Sequence, residues 1–120
     1  MLGGYRLQGR DEAAAARIRA DAALLEEAGA RLVLLECVPS GLGEEVTQTA
    51  RVPVIGIGAG PATDAQVLVM HDMLGVTSGR KARFVKDYLA GRGGISDAFR
   101  AFAEEVRSGA YPAPEHCYGA

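Results

Sequence analysis

A carboxylate ends a run of apolar residues in Arg31-Leu32-Val33-Leu34-Leu35-Glu36-Cys37-Val38-Pro39. A charge at the end of such a run is costly unless it is paired, hydrated or used. If the run is a strand, Glu36 lies at its C-terminal end, ahead of the Pro39-Ser40 turn. In a (β/α) barrel that end of the strands forms the working face. Partial desolvation there would raise the pKa of the carboxyl group and suit it to general-base work. In the other reading Glu36 simply opens a solvated loop, and position alone does not choose between the two. Cys37 reads as a small core residue rather than a nucleophile, because no histidine follows nearby.

Three further segments hold residue types capable of binding. Ile55-Gly56-Ile57-Gly58-Ala59-Gly60-Pro61 alternates glycines after a strand-like stretch. Such glycines let a backbone approach a ligand or present N–H groups to an anion. A dinucleotide fingerprint needs a further glycine opening a long helix, and Pro61 argues against it, so a tight structural turn is the competing explanation. His71 and Asp72 are adjacent and on a strand would point to opposite faces, which disfavours one shared metal. Capping or a hydrogen-bonded turn is the default expectation for Asp72. His116-Cys117 lies in a Pro-rich tail with no further ligands clustered beside it, so no metal site is expected. Arg80, Lys81, Arg83 and Lys86 read as a solvated helix start or loop.

These residues need elements to hold them. The composition of residues 11–28 predicts a helix capped by Asp11 and closed by Gly29, with Ile18, Ala22 and Leu25 inward. Residues 31–35 form a continuous apolar run, as expected of a strand covered on both faces. Ser40 is expected to cap a short helix with Leu42, Val46 and Ala50 inside, followed by strands over residues 52–57 and 66–70. A helix over residues 81–89 would turn Phe84, Val85 and Tyr88 inward. A last helix, started by Gly94 or Ser96 and closed by Gly109, would do the same with Ile95, Phe99, Phe102 and Val106. Strands alternating with helices argue for a parallel α/β sheet. Only about nine residues, 58–66, separate the second and third strands. A parallel crossover usually takes a dozen or more, so either the crossover is compressed or the third strand runs differently.

With 120 residues, 48% hydrophobic and 23% charged, the composition is that of a soluble globular chain. A net charge of −2 with mixed signs removes the electrostatic case for nucleic acid. No apolar stretch is long enough to span a bilayer or lead export. Cys37 and Cys117, far apart, read as reduced thiols of a cytoplasmic protein. Three strands are too few for a free-standing buried sheet, and a complete (β/α) barrel takes eight strands and about 250 residues. The fold expected is therefore α/β, a partial (β/α)8 TIM barrel made of about the last three strands with their helices. Residues 1–120 would be the C-terminal part of that barrel domain, with 109–120 as a Pro-rich tail. The opening Met1 to Arg6 reads as the tail of a loop.

Several motifs together resemble ketopantoate hydroxymethyltransferase. They are Gly3-Gly4-Tyr5-Arg6-Leu7-Gln8-Gly9-Arg10, Leu35-Glu36-Cys37-Val38-Pro39 and Pro53-Val54-Ile55-Gly56-Ile57-Gly58-Ala59-Gly60. Gln66-Val67-Leu68-Val69-Met70-His71-Asp72-Met73-Leu74-Gly75, Arg83-Phe84-Val85-Lys86 and Pro112-Ala113-Pro114-Glu115-His116 follow in the family's order. The resemblance implies a (β/α)8 barrel in a homo-oligomer. It also implies an aldol-type reaction of pantothenate synthesis, moving a hydroxymethyl group from 5,10-methylenetetrahydrofolate to 3-methyl-2-oxobutanoate. Glu36 falls where the family's proton-abstracting glutamate lies. The family's Mg²⁺ requirement is implied too, with its ligands on earlier strands outside this chain, so no metal ligand is assigned here. Thr63 and Ala65 stand where the family usually has Cys and Gly, which should reshape the glycine loop slightly.

The implied partners are a small 2-oxo acid and folate, with no nucleic acid or membrane, and either a homo-oligomer or an N-terminal barrel half that completes the fold. The chain alone is expected to be inactive. A catalytically incomplete fragment serving as an assembly or binding module is the alternative. A small nucleotide-binding domain, resting on Gly56, Gly58 and Gly60 alone, is a third reading.

Overall fold

The computed structural model describes residues 6–119. Gly3, Gly4 and Tyr5 of the first motif, and the export-free start read from residues 1–5, lie outside the described residues. Helix α1, Glu12–Glu27, starts where the Asp11 carboxylate accepts the Ala14 amide at 2.8 Å, and it stops before Gly29 at φ +98°. Both ends match their expected caps. Its inward stripe is Ala15, Ile18, Ala22 and then Glu26, whose carboxylate accepts from the Arg51 amide and guanidinium at 3.1 and 3.3 Å. Glu26 thus takes the inward position expected of Leu25, which is 51% exposed.

Strands β1, Val33–Glu36, β2, Val54–Ile57, and β3, Ala65–Gln66, form one parallel sheet in the order β1-β2-β3. Val33 pairs with Val54 and Glu36 with Ile57, while Ile55 pairs with Ala65. Helix α2, Ser40–Thr49, connects β1 to β2 and buries Leu42 and Val46 as expected. Ser40 is its first residue rather than its cap, and no side chain caps this end. Val33, Leu35, Val54, Leu42, Val46 and the α1 alanines make the first core. The opposite face of β1 is uncovered: Leu34 is 50% exposed. The apolar run is therefore covered on one face of this chain, not on both.

The short crossover is real. Residues 58–64 link β2 to the parallel β3 without a helix, because Gly58 at φ +64° and Gly60 at φ +82° reverse the chain tightly. The Asp64 carboxylate then accepts the Val54 amide at 2.8 Å, and the Gln66 side-chain Nε2 donates to the Gly60 carbonyl at 2.9 Å. The third strand is shorter than the expected 66–70. After Val67 donates to Gly56 at 3.0 Å, β2 turns away at Gly58 and leaves nothing to pair with, and Met70–Met73 coil into the one-turn helix α3.

Residues 81–89 are turns, not a helix. The Tyr88 amide donates across the fold to Met73 at 2.7 Å, and the Asp87 carboxylate takes the Leu89 and Ala90 amides. Tertiary and side-chain partners thus claim groups that a helix needs. Phe84 and Tyr88 are nonetheless fully buried, as expected. Helix α4, Ile95–Ser108, ends at Gly109 with φ +75°. It packs through Ala98, Phe102 and Val106, with Glu105 drawn inward by Lys86 and Tyr88 at 2.6 Å each. Ile95 and Phe99, expected inside, are 54% and 40% exposed. The tail is docked rather than loose: Tyr111 is buried and its hydroxyl donates to the Phe84 carbonyl at 2.6 Å. Tyr111 and Tyr88 both meet Phe102 edge-on, closing a second core around Ile57, Leu68, Met73 and Ala98.

Candidate active site

Strand β1 delivers Glu36 to the C-terminal tip of the sheet. The alternation along β1 puts Leu34 and Glu36 on the face away from α1 and α2, and both are exposed. The carboxylate is in no ion pair among the described residues. The desolvation expected around it is not supplied by the described residues, among which Glu36 is exposed. Just past it the ladder continues, with the Cys37 amide donating to Ile57 at 2.9 Å and the Val38 amide to Gly58 at 3.1 Å. Between those bonds Cys37 adopts φ +54°, a left-handed conformation that costs a non-glycine residue about 1–2 kcal/mol. Cys37 is buried, which pushes its thiol pKa up, and the nearby Glu36 charge pushes the same way, against the opposing influence of the Tyr118 side chain. That state is inert toward nucleophilic chemistry, in line with the core role read for Cys37.

The glycines beside Glu36 are accounted for by close packing. A Cβ on Gly58 would stand 2.5 Å from the Phe84 ring, and one on Gly60 would stand 2.6 Å from Ser40. On Gly56 it would meet the Thr63 hydroxyl at 2.6 Å. Thr63 itself is held by Gln66 at 2.8 Å and donates to the Ala65 carbonyl at 3.0 Å. The loop therefore packs against α2 and the second core, which is the structural turn weighed against a phosphate cradle.

His71 and Asp72 stand on α3 instead of a strand, yet still diverge: His71 is exposed and Asp72 buried. Asp72 takes the hydrogen-bonded turn expected of it, through its backbone, while its side-chain Oδ2 is buried without a hydrogen-bond partner among the described residues. Its backbone carbonyl makes the turn, accepting from Gly75 at 3.1 Å. His116 and Cys117 fold the tail on itself: the Ala113 amide donates to His116 Nδ1 at 3.1 Å and Cys117 Sγ reaches the Ala113 carbonyl at 3.3 Å. Both cysteines are free thiols. The basic cluster is only partly a solvated one, because Lys86 pairs with Glu105 and Arg83 lies over the Tyr118 ring. Among the described residues no group of three His, Cys, Asp or Glu side chains is placed to hold a metal ion, and no helix is long and apolar enough to cross a membrane.

The sequence profile of the family Ketopantoate hydroxymethyltransferase matches residues 1–114. The chain belongs to that family. The proteins named 3-methyl-2-oxobutanoate hydroxymethyltransferase 2 from Pseudomonas fluorescens and 3-methyl-2-oxobutanoate hydroxymethyltransferase from Chromohalobacter salexigens are 55% and 56% identical to it. The first alignment covers 100% of this chain and 46% of the relative, the second 98% and 44%. The chain thus spans about half the length of the curated relatives it matches. Within this transferase family, the stretch that carries Glu36 is the one the geometry sets at the strand tip.

Proposed function

We propose that this chain is the C-terminal part of a (β/α)8 barrel enzyme that transfers a hydroxymethyl group from 5,10-methylenetetrahydrofolate to 3-methyl-2-oxobutanoate, giving 2-dehydropantoate, with Glu36 as general base. The observation that carries it is a parallel sheet clad by helices on one face and bare along β1 on the other, with a carboxylate at the C-terminal tip of that bare side. That is the layout of a barrel wall, whose inner face meets the remaining strands. Those strands belong to the part of the relatives this chain does not span.

The Glu36 carboxylate takes the proton from C3 of the oxo acid, leaving an enolate. C3 then bonds to the one-carbon unit, and overall one water is consumed and tetrahydrofolate is released. Removing a proton next to a ketone is demanding for an exposed carboxylate, so walls supplied by the rest of the barrel must dry the site. The described residues do not fit a Mg²⁺ site, since no group of three His, Cys, Asp or Glu side chains converges among them. If the family's Mg²⁺ requirement applies, its ligands lie beyond these residues. The protein acts in the cytoplasm, as a homo-oligomer or with a separate N-terminal half.

Deuterium exchange at C3 of 3-methyl-2-oxobutanoate tests this. The complete enzyme carrying this chain should exchange, and Glu36→Gln should lower the rate by about 10²–10⁴-fold. The 120-residue chain alone should show no exchange. The exposed apolar side chains Leu34, Val67, Val69 and Met70 also suit a catalytically incomplete assembly module. Unimpaired exchange by the Glu36→Gln enzyme would favour that second reading.

A further inference from the structure

The turn after Glu36 is held from the far end of the chain. Helix α2 has no side-chain cap, so its first amide needs another acceptor. The Tyr118 carbonyl supplies it, accepting from the Ser40 amide at 3.0 Å and the Ser40 hydroxyl at 3.2 Å. The Tyr118 side chain stands near enough to the Cys37 thiol for each group to shift the pKa of the other. Tyr118 is itself pinned: the Arg83 guanidinium lies 5.7 Å above its ring and reaches the Cys117 carbonyl at 3.3 Å. Upstream, buried Tyr111 anchors the same segment to Phe84. A left-handed non-glycine residue persists only where its surroundings over-determine it. Around Cys37 these are the two ladder bonds toward β2, the Gln8 amide on its carbonyl at 2.8 Å and, three residues on, the Tyr118 carbonyl that holds Ser40.

We propose that Tyr118 is a positioning residue, whose carbonyl clamps Ser40 and whose side chain stands beside Cys37, so fixing the left-handed turn that sets the direction of Glu36. It touches no reacting atom; it acts through the two residues that flank the turn. The proposal rests on Glu36 being the base, and the experiment separates the two ideas. Three forms of the complete enzyme carrying this chain are compared with the unaltered one: Tyr118→Phe, a form ending after Cys117, and Glu36→Gln. Amide hydrogen exchange over residues 37–40 is measured alongside kcat and KM for deuterium exchange at C3.

In the shortened form the Val38 and Ser40 amides should exchange about ten-fold faster or more. Its kcat should fall about ten-fold, with KM for the oxo acid changed by less than about two-fold, since a misaimed base weakens the proton transfer rather than ground-state binding. Tyr118→Phe, which keeps the ring and the carbonyl, should lower kcat about two- to three-fold, again without moving KM. Unchanged amide exchange in the shortened form, or a change in KM alone, overturns the clamp. If the shortened form does not fold, an unaltered kcat in Tyr118→Phe overturns it. Full activity in Glu36→Gln overturns the base, while the amide exchange still judges the clamp.

Discussion

A Cβ built on Gly43 would stand 2.1 Å from the Ala59 carbonyl oxygen, whereas one on Gly41 meets nothing within 4 Å. Both residues lie in α2, where alanine is intrinsically the better helix former. The difference comes from the glycine loop, whose backbone at Ala59 rests directly on the helix. Gly43→Ala should therefore destabilise the chain by about 1–3 kcal/mol through overpacking, while Gly41→Ala should be neutral or stabilising by about 0.5 kcal/mol. Urea denaturation of the two variants distinguishes them, and equal shifts would remove the packing explanation for the loop. The same contact ties the α2 end of the Glu36 turn to β2, so the glycines serve the site by letting elements approach rather than by touching a ligand.

At the scale of the element, α4 is fastened by a polar knot as well as by its apolar stripe. Lys86 Nζ lies 2.8 and 2.6 Å from the two Glu105 oxygens, and the Tyr88 hydroxyl donates to one of them at 2.6 Å. Burial works to raise the Glu105 pKa, but the hydrogen bonds from Lys86 and Tyr88 outweigh it and hold the carboxyl below its ordinary value of 4.5. For Tyr88, burial and the Glu105 partner both push the phenol well upward, so it stays a donor. A carboxylate with a depressed folded pKa contributes stability above its unfolded pKa and loses it as pH falls through the folded one. Glu105→Gln should thus cost about 1–3 kcal/mol near neutrality, and the gap from the unaltered chain should close below about pH 4. Urea midpoints taken across that range check it; a gap that stays constant would mean the charge plays no part.

At the scale of the whole molecule, the described chain leaves apolar side chains of β1 and of the β3–α3 segment in contact with solvent. Leu34, Val67, Val69 and Met70 are between 39% and 51% exposed. On the barrel reading, the N-terminal part of a relative such as the Pseudomonas fluorescens protein should bind this chain and cover those residues. Size-exclusion chromatography of the mixture should show co-elution, and Leu34→Glu should abolish it. Separate elution of the unaltered chains would count against a barrel completed in this way. Ile95 and Phe99 on α4 form another exposed apolar pair.

Local chemistry was enough to read the helix caps at Asp11, Gly29 and Gly109, the strand order of types, the inward Phe84 and Tyr88, and the place of Glu36 at a strand end. Each of these depends on near neighbours in the chain: a carboxylate beside free amides, a glycine free to take φ > 0, an apolar run meeting a charge. The motifs in their order also sufficed for the family. What the neighbours could not settle were the matters decided by distant partners. Residues 81–89 carry a helical pattern, but Met73 claims the Tyr88 amide. The third strand stops at Gln66 because β2 has turned away at Gly58. Leu25 is outside because Glu26 answers to Arg51. The left-handed turn at Cys37 leaves no mark in the local sequence, since the groups on either side of it bond to distant partners: Ile57, Gly58 and Gln8, with Ser40 held by Tyr118 at the other end of the chain. Short-range preferences are worth tenths of a kcal/mol to about one per residue, and a buried hydrogen-bonding group that must find its partner outweighs them.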